Sequence, residues 1–275
     1  MKLSVAVAGA DAPPSAFVVW RGFEESIRKA ADFGYHGIEL ALKEAGDVEA
    51  TKLDRLLAAR GLEASCISTG QVFAVLGLYF THPDPSARAR VLEVFRGLVD
   101  LAQDHGRLIN VGRARGFYQD GQTPEQTEQL FIDMARRICD VGAPKGVTLM
   151  IEPVNRYELN FVNSVDDAAK LLARVERKNV GIMPDVFHMN IEDAHVGDAL
   201  YRNSKRVSYI HFADSNRLAP GQGHLDFDDV LGGLKRAKWD GWVSIEILPK
   251  PDPDTAARQA AEHVLPLIAR YNKGR

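Results

Sequence analysis

Short apolar runs alternate with longer amphipathic runs along the chain. The short runs are rich in Val and Ile, continuously hydrophobic and too short for helices, which is typical of parallel strands covered on both faces. This pattern predicts strands at Leu3–Val7, Gly37–Leu40, Glu63–Ser68, Leu108–Gly112, Thr148–Glu152, Val180–Asp185, Val207–His211 and Trp242–Glu246.

The runs between these strands have apolar residues at helical spacing and carry signals for helix ends. Gly34 and Gly61 each follow such a run as a C-terminal cap. The segment Thr123–Gln126 has the sequence of a capping box with Pro at the first helical position. The predicted helices are Phe23–Phe33, Thr51–Arg60, Pro85–Gly106, Thr123–Cys139, Val165–Val175, Asp226–Ala237 and Pro253–Tyr271.

Eight strands that alternate with helices predict an α/β protein. The count fits one TIM-type (β/α)8 barrel domain over residues 1–275, an ordinary length for that architecture. A doubly wound open sheet is the alternative, but no Gly-x-Gly-x-x-Gly motif follows the first strand.

The net charge and the hydropathy of the chain limit the kinds of partner that the protein is expected to bind. The formal net charge is −3, so the chain lacks the basic excess that nucleic-acid binding usually requires. No run approaches the ~20 apolar residues of a membrane span, and the run at Leu3–Ala8 is short for a secretory signal. Cys66 and Cys139 lie in apolar runs and are expected to be reduced and buried. We therefore expect a cytoplasmic protein without nucleic-acid or membrane partners, and a homo-oligomer is compatible with the sequence.

Four consecutive predicted strands end in a carboxylate or an imidazole, at Glu152, Asp185, His211 and Glu246. Active sites of parallel barrels lie at the C-terminal ends of the strands, so these side chains are expected over one half of the barrel mouth. Any one of them alone could be a helix cap or an ion-pair partner. Together, three carboxylates repel one another unless a cation lies between them. Three oxygen ligands and one nitrogen ligand favour Mn²⁺, Mg²⁺ or Co²⁺, so the sequence predicts one divalent-metal site.

Further polar residues are expected at the same mouth. Glu158, His188 and Arg217 either contact a substrate or belong to solvated loops. Glu39 ends the second strand and either reaches the site or pairs with a basic neighbour. His224 lies in a glycine-rich loop and is expected to be structural. The residues that follow the fifth and seventh strands are Asn155, Arg156, Tyr157, Glu158, Asp214, Ser215, Asn216 and Arg217.

The segments Glu152–Glu158, Asp185–Asn190, His211–Arg217 and Ile245–Glu246 resemble the sugar phosphate isomerase/epimerase superfamily of xylose isomerase-like barrels. They are most similar to ketose 3-epimerases of the D-tagatose/D-psicose type, and the resemblance covers nearly the whole chain.

The resemblance implies which residues do what. It implies that Glu152, Asp185, His211 and Glu246 bind Mn²⁺ or a similar ion. It further implies that Glu152 and Glu246 act as acid and base on opposite faces of a small ketose. The substrate oxygens at C1 to C3 would be held by Glu158, His188 and Arg217.

The end of the fourth strand departs from those epimerases, because Arg113 and Arg115 stand where small or apolar residues are expected. Two guanidinium groups suggest an anionic group on the substrate, such as a phosphate or carboxylate. The alternative is that the two arginines orient Glu152 or other carboxylates of the mouth. Substrate identity therefore stays open.

The expected reaction is proton transfer next to a sugar carbonyl through an enediolate, with C3 epimerisation favoured. Aldose–ketose isomerisation, a hydroxypyruvate-type isomerase and a polyol-ketone dehydratase use the same parts and are alternatives. A more distant alternative is a metal-dependent phosphodiester hydrolase like the AP endonucleases, which would need further His ligands for several zinc ions.

Overall fold

The computed structural model describes residues 1–14 and 16–274. Eight of its strands are parallel: β1 (Lys2–Ala8), β2 (Gly37–Ala41), β3 (Glu63–Ser68), β4 (Leu108–Val111), β5 (Thr148–Ile151), β6 (Val180–Ile182), β7 (Tyr209–Phe212) and β8 (Trp242–Ile245). They form one sheet in the order β6-β5-β4-β3-β2-β1-β8-β7.

The sheet closes on itself between its two edge strands. Two isolated parallel bridges close the gap. One joins Ile182 of β6 to Val207 before β7, and the other joins Asp185 after β6 to His211 of β7. The predicted TIM-type (β/α)8 barrel is therefore confirmed. A two-residue strand at Trp20–Arg21 pairs with the end of β1 and lies outside the barrel order.

Helices follow the strands and cover the barrel. In the described part of the chain they are α1 (Phe23–Asp32), α2 (Ala50–Arg60), α3 (Gly70–Leu76), α4 (Pro85–Ala102), α5 (Pro124–Gly142), α6 (Val165–Ala173), α7 (Val186–Glu192), α8 (Val196–Asn203), α9 (Phe227–Arg236) and α10 (Pro253–Lys273). Among the described residues, no helix is both long enough and apolar enough to cross a bilayer.

The predicted capping residues are found at the ends of three helices. Thr123 accepts a hydrogen bond from the backbone N–H of Gln126, and the Gln126 side chain accepts one in return, so the capping box at α5 is confirmed. Gly61 ends α2 with φ of 63°, a left-handed conformation that glycine adopts without strain. Asp226 caps α9 by accepting from two backbone N–H groups.

Several predicted boundaries were wrong. The fifth, sixth and eighth strands end before the carboxylates that were predicted to terminate them, and helix α4 ends at Ala102 instead of Gly106. The short helices α3, α7 and α8 were not predicted. Each has only seven or eight residues, and two turns carry too little periodicity to be recognised.

The alternation of side chains along each strand positions the barrel mouth. In β7, Ile210 and Phe212 belong to the hydrophobic core between strands and helices, whereas Tyr209 and His211 face the barrel interior. A separate buried cluster inside the barrel consists of Cys66, Met150, Met183 and Tyr209. The last three stand two positions before Glu152, Asp185 and His211. Because strand side chains repeat with a period of two, the predicted metal ligands lie directly above this cluster.

Candidate metal centre and substrate cavity

The four predicted metal ligands converge at the C-terminal mouth of the barrel. Glu152, Asp185, His211 and Glu246 each offer one ligand atom, and these atoms all lie within 4.8 Å of one another. Donors about 2.1 Å from a small divalent cation are separated by about 4.2 Å when they stand on opposite sides of it. The four atoms are therefore close enough to surround one such ion after a small contraction.

Within residues 1–14 and 16–274, two atoms of this group have no hydrogen-bond partner. The Asp185 carboxylate uses Oδ1 to cap helix α7, accepting from the N–H of Phe187 at 2.9 Å, whereas Oδ2 is buried and unsatisfied. Nδ1 of His211 is likewise buried and unsatisfied, 3.8 Å from Glu152 and 3.6 Å from Glu246. Buried polar atoms are rarely left without a partner, so this donor set fits a cation.

Polar neighbours orient two of the ligands. Nε2 of His211 lies 2.9 and 3.0 Å from the two carboxylate oxygens of Glu39, which is fully buried. The amide of Asn110 donates to Oε2 of Glu152 at 3.0 Å. A carboxylate behind a ligating histidine fixes the ring and its tautomer, so Glu39 directs the Nδ1 lone pair toward the three carboxylates. Of the two roles that the sequence left open for Glu39, the structure shows pairing with a basic neighbour.

The pKa values of the cluster residues reflect the negative charges that are crowded together there. Burial raises the pKa of Glu152 to about 8, and the adjacent Glu246 carboxylate adds to the rise. Burial also raises the pKa of Asp185 to about 6, although Arg217 opposes this. For His211, burial acts to lower the pKa, but Glu39 and Glu246 outweigh it and raise the pKa well above its ordinary value. In the absence of a metal, protons are thus retained where a cation would otherwise lie.

A cleft that is partly open to solvent, hereafter the cavity, lies above the cluster, and the space between its wall atoms amounts to about 630 Å³. Its lining includes Glu152, Glu158, His188, Arg217 and Glu246, so the predicted ligands and substrate contacts border one space. The other lining residues are Pro13, Ala16, Phe17, Val18, Ala41, Ser68, Gly70, Gln71, Ala74, Asn110, Gly112, Arg113 and Val154.

Asn155 sets the tautomer of His188 at this cavity. Oδ1 of Asn155 accepts from the N–H of Tyr157, so its amide nitrogen is the atom that lies 2.7 Å from Nδ1 of His188. Nδ1 is then the acceptor and Nε2 carries the proton. Burial lowers the pKa of His188 well below its ordinary value, and the Arg217 charge lowers it further. His188 is therefore a neutral donor whose Nε2 lies 3.9 Å from Glu152 and 3.8 Å from Asp185.

Arg217 connects the metal cluster to Glu158 in the loop after β5. It donates to Glu158 at 2.7 Å and to Glu246 at 3.2 Å. Its guanidinium lies between two aromatic rings, 3.8 Å from the centroid of Phe17 and 4.8 Å from that of Phe187. This packing holds the guanidinium in one plane at the cavity wall.

The loop after β7 holds Arg217 in place. Arg217 has φ of 62°, a left-handed conformation that costs a non-glycine residue about 1 kcal/mol or more. The Asp214 carboxylate accepts from the N–H groups of Ser215, Gly221 and Leu225 and so organises the loop. In the same loop His224 bonds to Ser215 at the surface, as expected for a structural residue.

The two arginines after β4 are placed differently. Arg113 lines the cavity. Arg115 is fully buried, and its guanidinium donates to the carbonyls of Gly112, Phe161 and Val162. Because these bonds occupy the guanidinium below the cavity wall, the expected contact between Arg115 and a substrate has no support in the geometry.

Sequence reasoning missed two residues of the site. Asn110 interrupts the otherwise apolar run of β4, and a polar residue inside such a run was a usable signal. Phe17 comes from the loop after β1, and no periodicity distinguishes it from other loop residues. Only the packing of that loop over Arg217 identifies it.

The chain has recognisable relatives. L-ribulose 3-epimerase from Methylomonas sp. (strain DH-1) is 29% identical over 232 residues, which cover 82% of this chain and 78% of that protein. The 3-dehydro-D-guloside 4-epimerase of Escherichia coli (strain K12) is 30% identical over 176 residues, 61% of this chain and 67% of that protein.

Solved structures share the fold. The D-allulose 3-epimerase from Methylomonas sp., crystallised with D-allulose, has a TM-score of 0.81 and 24% identity, covering 97% of this chain and 96% of that chain. The sequence profile described as "Xylose isomerase-like TIM barrel" matches residues 27–267, most of the length of the chain. This chain therefore belongs to the xylose isomerase-like TIM barrel family.

Proposed function

We propose that the protein is a divalent-metal-dependent enzyme that moves a proton next to the carbonyl of a small ketose, with epimerisation at C3 as its reaction. The observation that carries the proposal is the position of Glu152 and Glu246. Both border the cavity and both belong to the four-residue cluster that fits a cation. Relatives named L-ribulose 3-epimerase and ketose 3-epimerase, at 29% and 28% identity, support the same reaction class.

Glu152, Asp185, His211 and Glu246 would hold the ion, for which we propose Mn²⁺, with Mg²⁺ or Co²⁺ as substitutes. When bound, the ion offsets the repulsion of the three carboxylates and makes the hydrogen next to a substrate carbonyl more acidic. Glu39 and Asn110 act through the ligands, by orienting His211 and Glu152.

The protein's own groups carry the proton. Glu152 follows β5 and Glu246 follows β8, so the two carboxylates reach the substrate from different sides of the mouth. One removes the proton at C3 and the other returns a proton to the opposite face, which inverts the carbon. Nε2–H of His188 and the guanidinium of Arg217 donate to the oxygens that gain negative charge in the enediolate.

Other outcomes need the same residues. Return of the proton to the neighbouring carbon would give aldose–ketose or hydroxypyruvate-type isomerisation, and loss of a hydroxyl would give dehydration. The E. coli relative named 3-dehydro-D-guloside 4-epimerase favours a second candidate, epimerisation next to the ketone of an oxidised glycoside. A phosphodiester hydrolase with several zinc ions has less support, because one four-residue group with metal-compatible spacing is found among residues 1–14 and 16–274.

Solvent-deuterium exchange tests the proposal directly. The Mn²⁺-loaded protein is incubated in D₂O with ketopentoses, ketohexoses, their phosphates and a 3-keto-glycoside, and the sugars are analysed by mass spectrometry and NMR. We expect one deuterium at the carbon next to the carbonyl, together with the inverted epimer. Hydrolysis of an abasic-site oligonucleotide without exchange into any sugar would contradict the proposal.

Substitution of Glu39 tests the metal centre by Mn²⁺ affinity, without a measurement of turnover. Glu39→Gln keeps the side-chain volume but removes the charge that polarises His211, so we expect Mn²⁺ to bind about tenfold to a hundredfold more weakly. Isothermal titration calorimetry measures the difference. The matched control is Glu63→Gln, since Glu63 is exposed at the start of β3 and pairs with Lys2 at the other end of the barrel. Equal Mn²⁺ affinity in wild type and Glu39→Gln would contradict the orienting role.

A further inference from the structure

Arg113 is a charged residue of the cavity, and it has no polar partner in the part of the chain that the structure describes. It stands immediately after Gly112 at the end of β4, is partly buried, and lines the same cavity as the metal cluster. Among residues 1–14 and 16–274, its guanidinium makes no hydrogen bond or ion pair. The guanidinium carbon lies 5.7 Å from the centroid of the Phe73 ring in α3. The five donor N–H groups of Arg113 are therefore unused within this part of the chain, and the residue borders a space that a ligand can enter.

The carboxylates that line the cavity are already engaged. Glu158 and Glu246 both accept from Arg217, and Glu152 accepts from Asn110. Glu152 and Glu246 also belong to the candidate metal cluster. Within residues 1–14 and 16–274 Arg113 forms no ion pair with these carboxylates, so the alternative that it orients the carboxylates of the mouth has no support in the geometry.

The backbone holds Arg113 in a defined position. Arg115, two residues on, is tied by its guanidinium to the carbonyls of Phe161 and Val162. Gly112 leaves room for Glu152, because a Cβ at Gly112 would lie 2.6 Å from Oε2 of Glu152. Gly116 has φ of 96°, and a Cβ there would overlap Thr81. The short turn that presents Arg113 is fixed at both ends, so its guanidinium is presented from a rigid base.

Arg113 lies across the barrel mouth from Glu246, the proton-transfer group that follows β8, and next to the strand that precedes Glu152. It follows β4, and three steps around the barrel separate β4 from β7, whose following loop carries Arg217. A substrate whose carbonyl lies between Glu152 and Glu246, and whose carbon chain extends from Glu246 toward β4, would present its remote end to Arg113.

We propose that the substrate carries an oxyanion, a carboxylate or a phosphate, at the end remote from its carbonyl, and that Arg113 binds this group. The inference rests on the proposed sugar chemistry and adds its substrate class. Partial burial of a guanidinium charge without a counter-ion costs free energy. A carboxylate or phosphate can accept two parallel hydrogen bonds from the N–H groups of one guanidinium. A neutral hydroxyl would satisfy one donor and leave the charge unpaired.

Three sugars that differ only at C6 test the inference: D-fructose, D-fructose 6-phosphate and D-fructuronate. We expect kcat/KM for deuterium exchange to be about tenfold to a hundredfold higher for one of the charged sugars than for D-fructose. Arg113→Ala should remove this ratio, and Arg113→Lys should restore part of it. A preference for D-fructose 6-phosphate indicates that the site binds a phosphate, and a preference for D-fructuronate indicates a carboxylate. The control is Arg177→Ala, which removes the same charge from an exposed pair with Asp140.

Calorimetry keeps the inference separate from the proposed function. Binding of the three sugars is measured with wild type and Arg113→Ala, whether or not exchange is observed. Tighter binding of a charged sugar that is lost in Arg113→Ala supports the inference even if no proton is exchanged. A wild-type protein that binds or turns over D-fructose as well as both charged sugars, or a preference unchanged by Arg113→Ala, overturns it. Exchange into neutral sugars alone would overturn the substrate class and leave the proton chemistry intact.

Discussion

Glu152→Gln and Glu246→Gln are each expected to lower turnover by about a hundredfold to ten-thousandfold. Each substitution keeps the shape of the side chain and removes a group that accepts or returns the proton. The two carboxylates follow different strands, so each should serve one face of the substrate. Turnover is measured as interconversion of the two epimers at saturating Mn²⁺, so that weaker metal binding does not hide the effect.

Exchange measured from each epimer separately sharpens this prediction. The variant that lacks the base for one epimer should fail to exchange that epimer's proton, while it still exchanges the proton of the other epimer. The second variant should show the reverse. The control is Glu262→Gln, which removes an exposed carboxylate from α10 and should leave both exchanges unchanged. Two variants that both interconvert the epimers at the wild-type rate would exclude the two-carboxylate mechanism.

Removal of the divalent ion is expected to abolish activity and leave the barrel folded. The hydrophobic core between strands and helices is independent of the four ligands, so circular dichroism should show the same helix content after treatment with EDTA. Addition of Mn²⁺ should restore turnover. Full activity of a protein shown to be metal-free by elemental analysis would contradict the proposed function.

The same titration should raise thermal stability. An ion that binds only the folded protein stabilises it by about 2.7 kcal/mol at a hundredfold excess over Kd, which corresponds to about 5–10 °C in Tm. Asp185→Asn should lose most of this shift, because Oδ2 of Asp185 is one of the two unsatisfied atoms at the centre of the cluster. A Tm that rises equally in wild type and Asp185→Asn would place the ion elsewhere.

The barrel and the four converging ligands could be predicted from the sequence. Strand side chains alternate, parallel strands end at the same rim, and one βα unit separates each ligand from the next. These regularities are local, so they can be read without knowing the packing. The strand ends were less predictable: Glu152 and Glu246 lie one residue beyond their strands, because the pairing that defines a strand depends on its neighbours.

The two arginines after β4 show what a local pattern leaves undecided. Arg113 and Arg115 lie in one short turn and look equivalent in the sequence. Tertiary packing separates them, because the carbonyls of Phe161 and Val162 lie beneath the turn and bind Arg115. Arg113 is left facing the cavity.

The sequence by itself determined that eight strands close into a barrel and that three carboxylates and one imidazole meet at its mouth. Tertiary structure alone decided that Glu39 pairs with His211 and that Phe17 covers Arg217. The physical reason is the separation along the chain over which each kind of interaction acts. Strand alternation and helix capping act over a few residues, whereas these contacts join segments far apart in the chain, whose meeting depends on how the whole barrel packs.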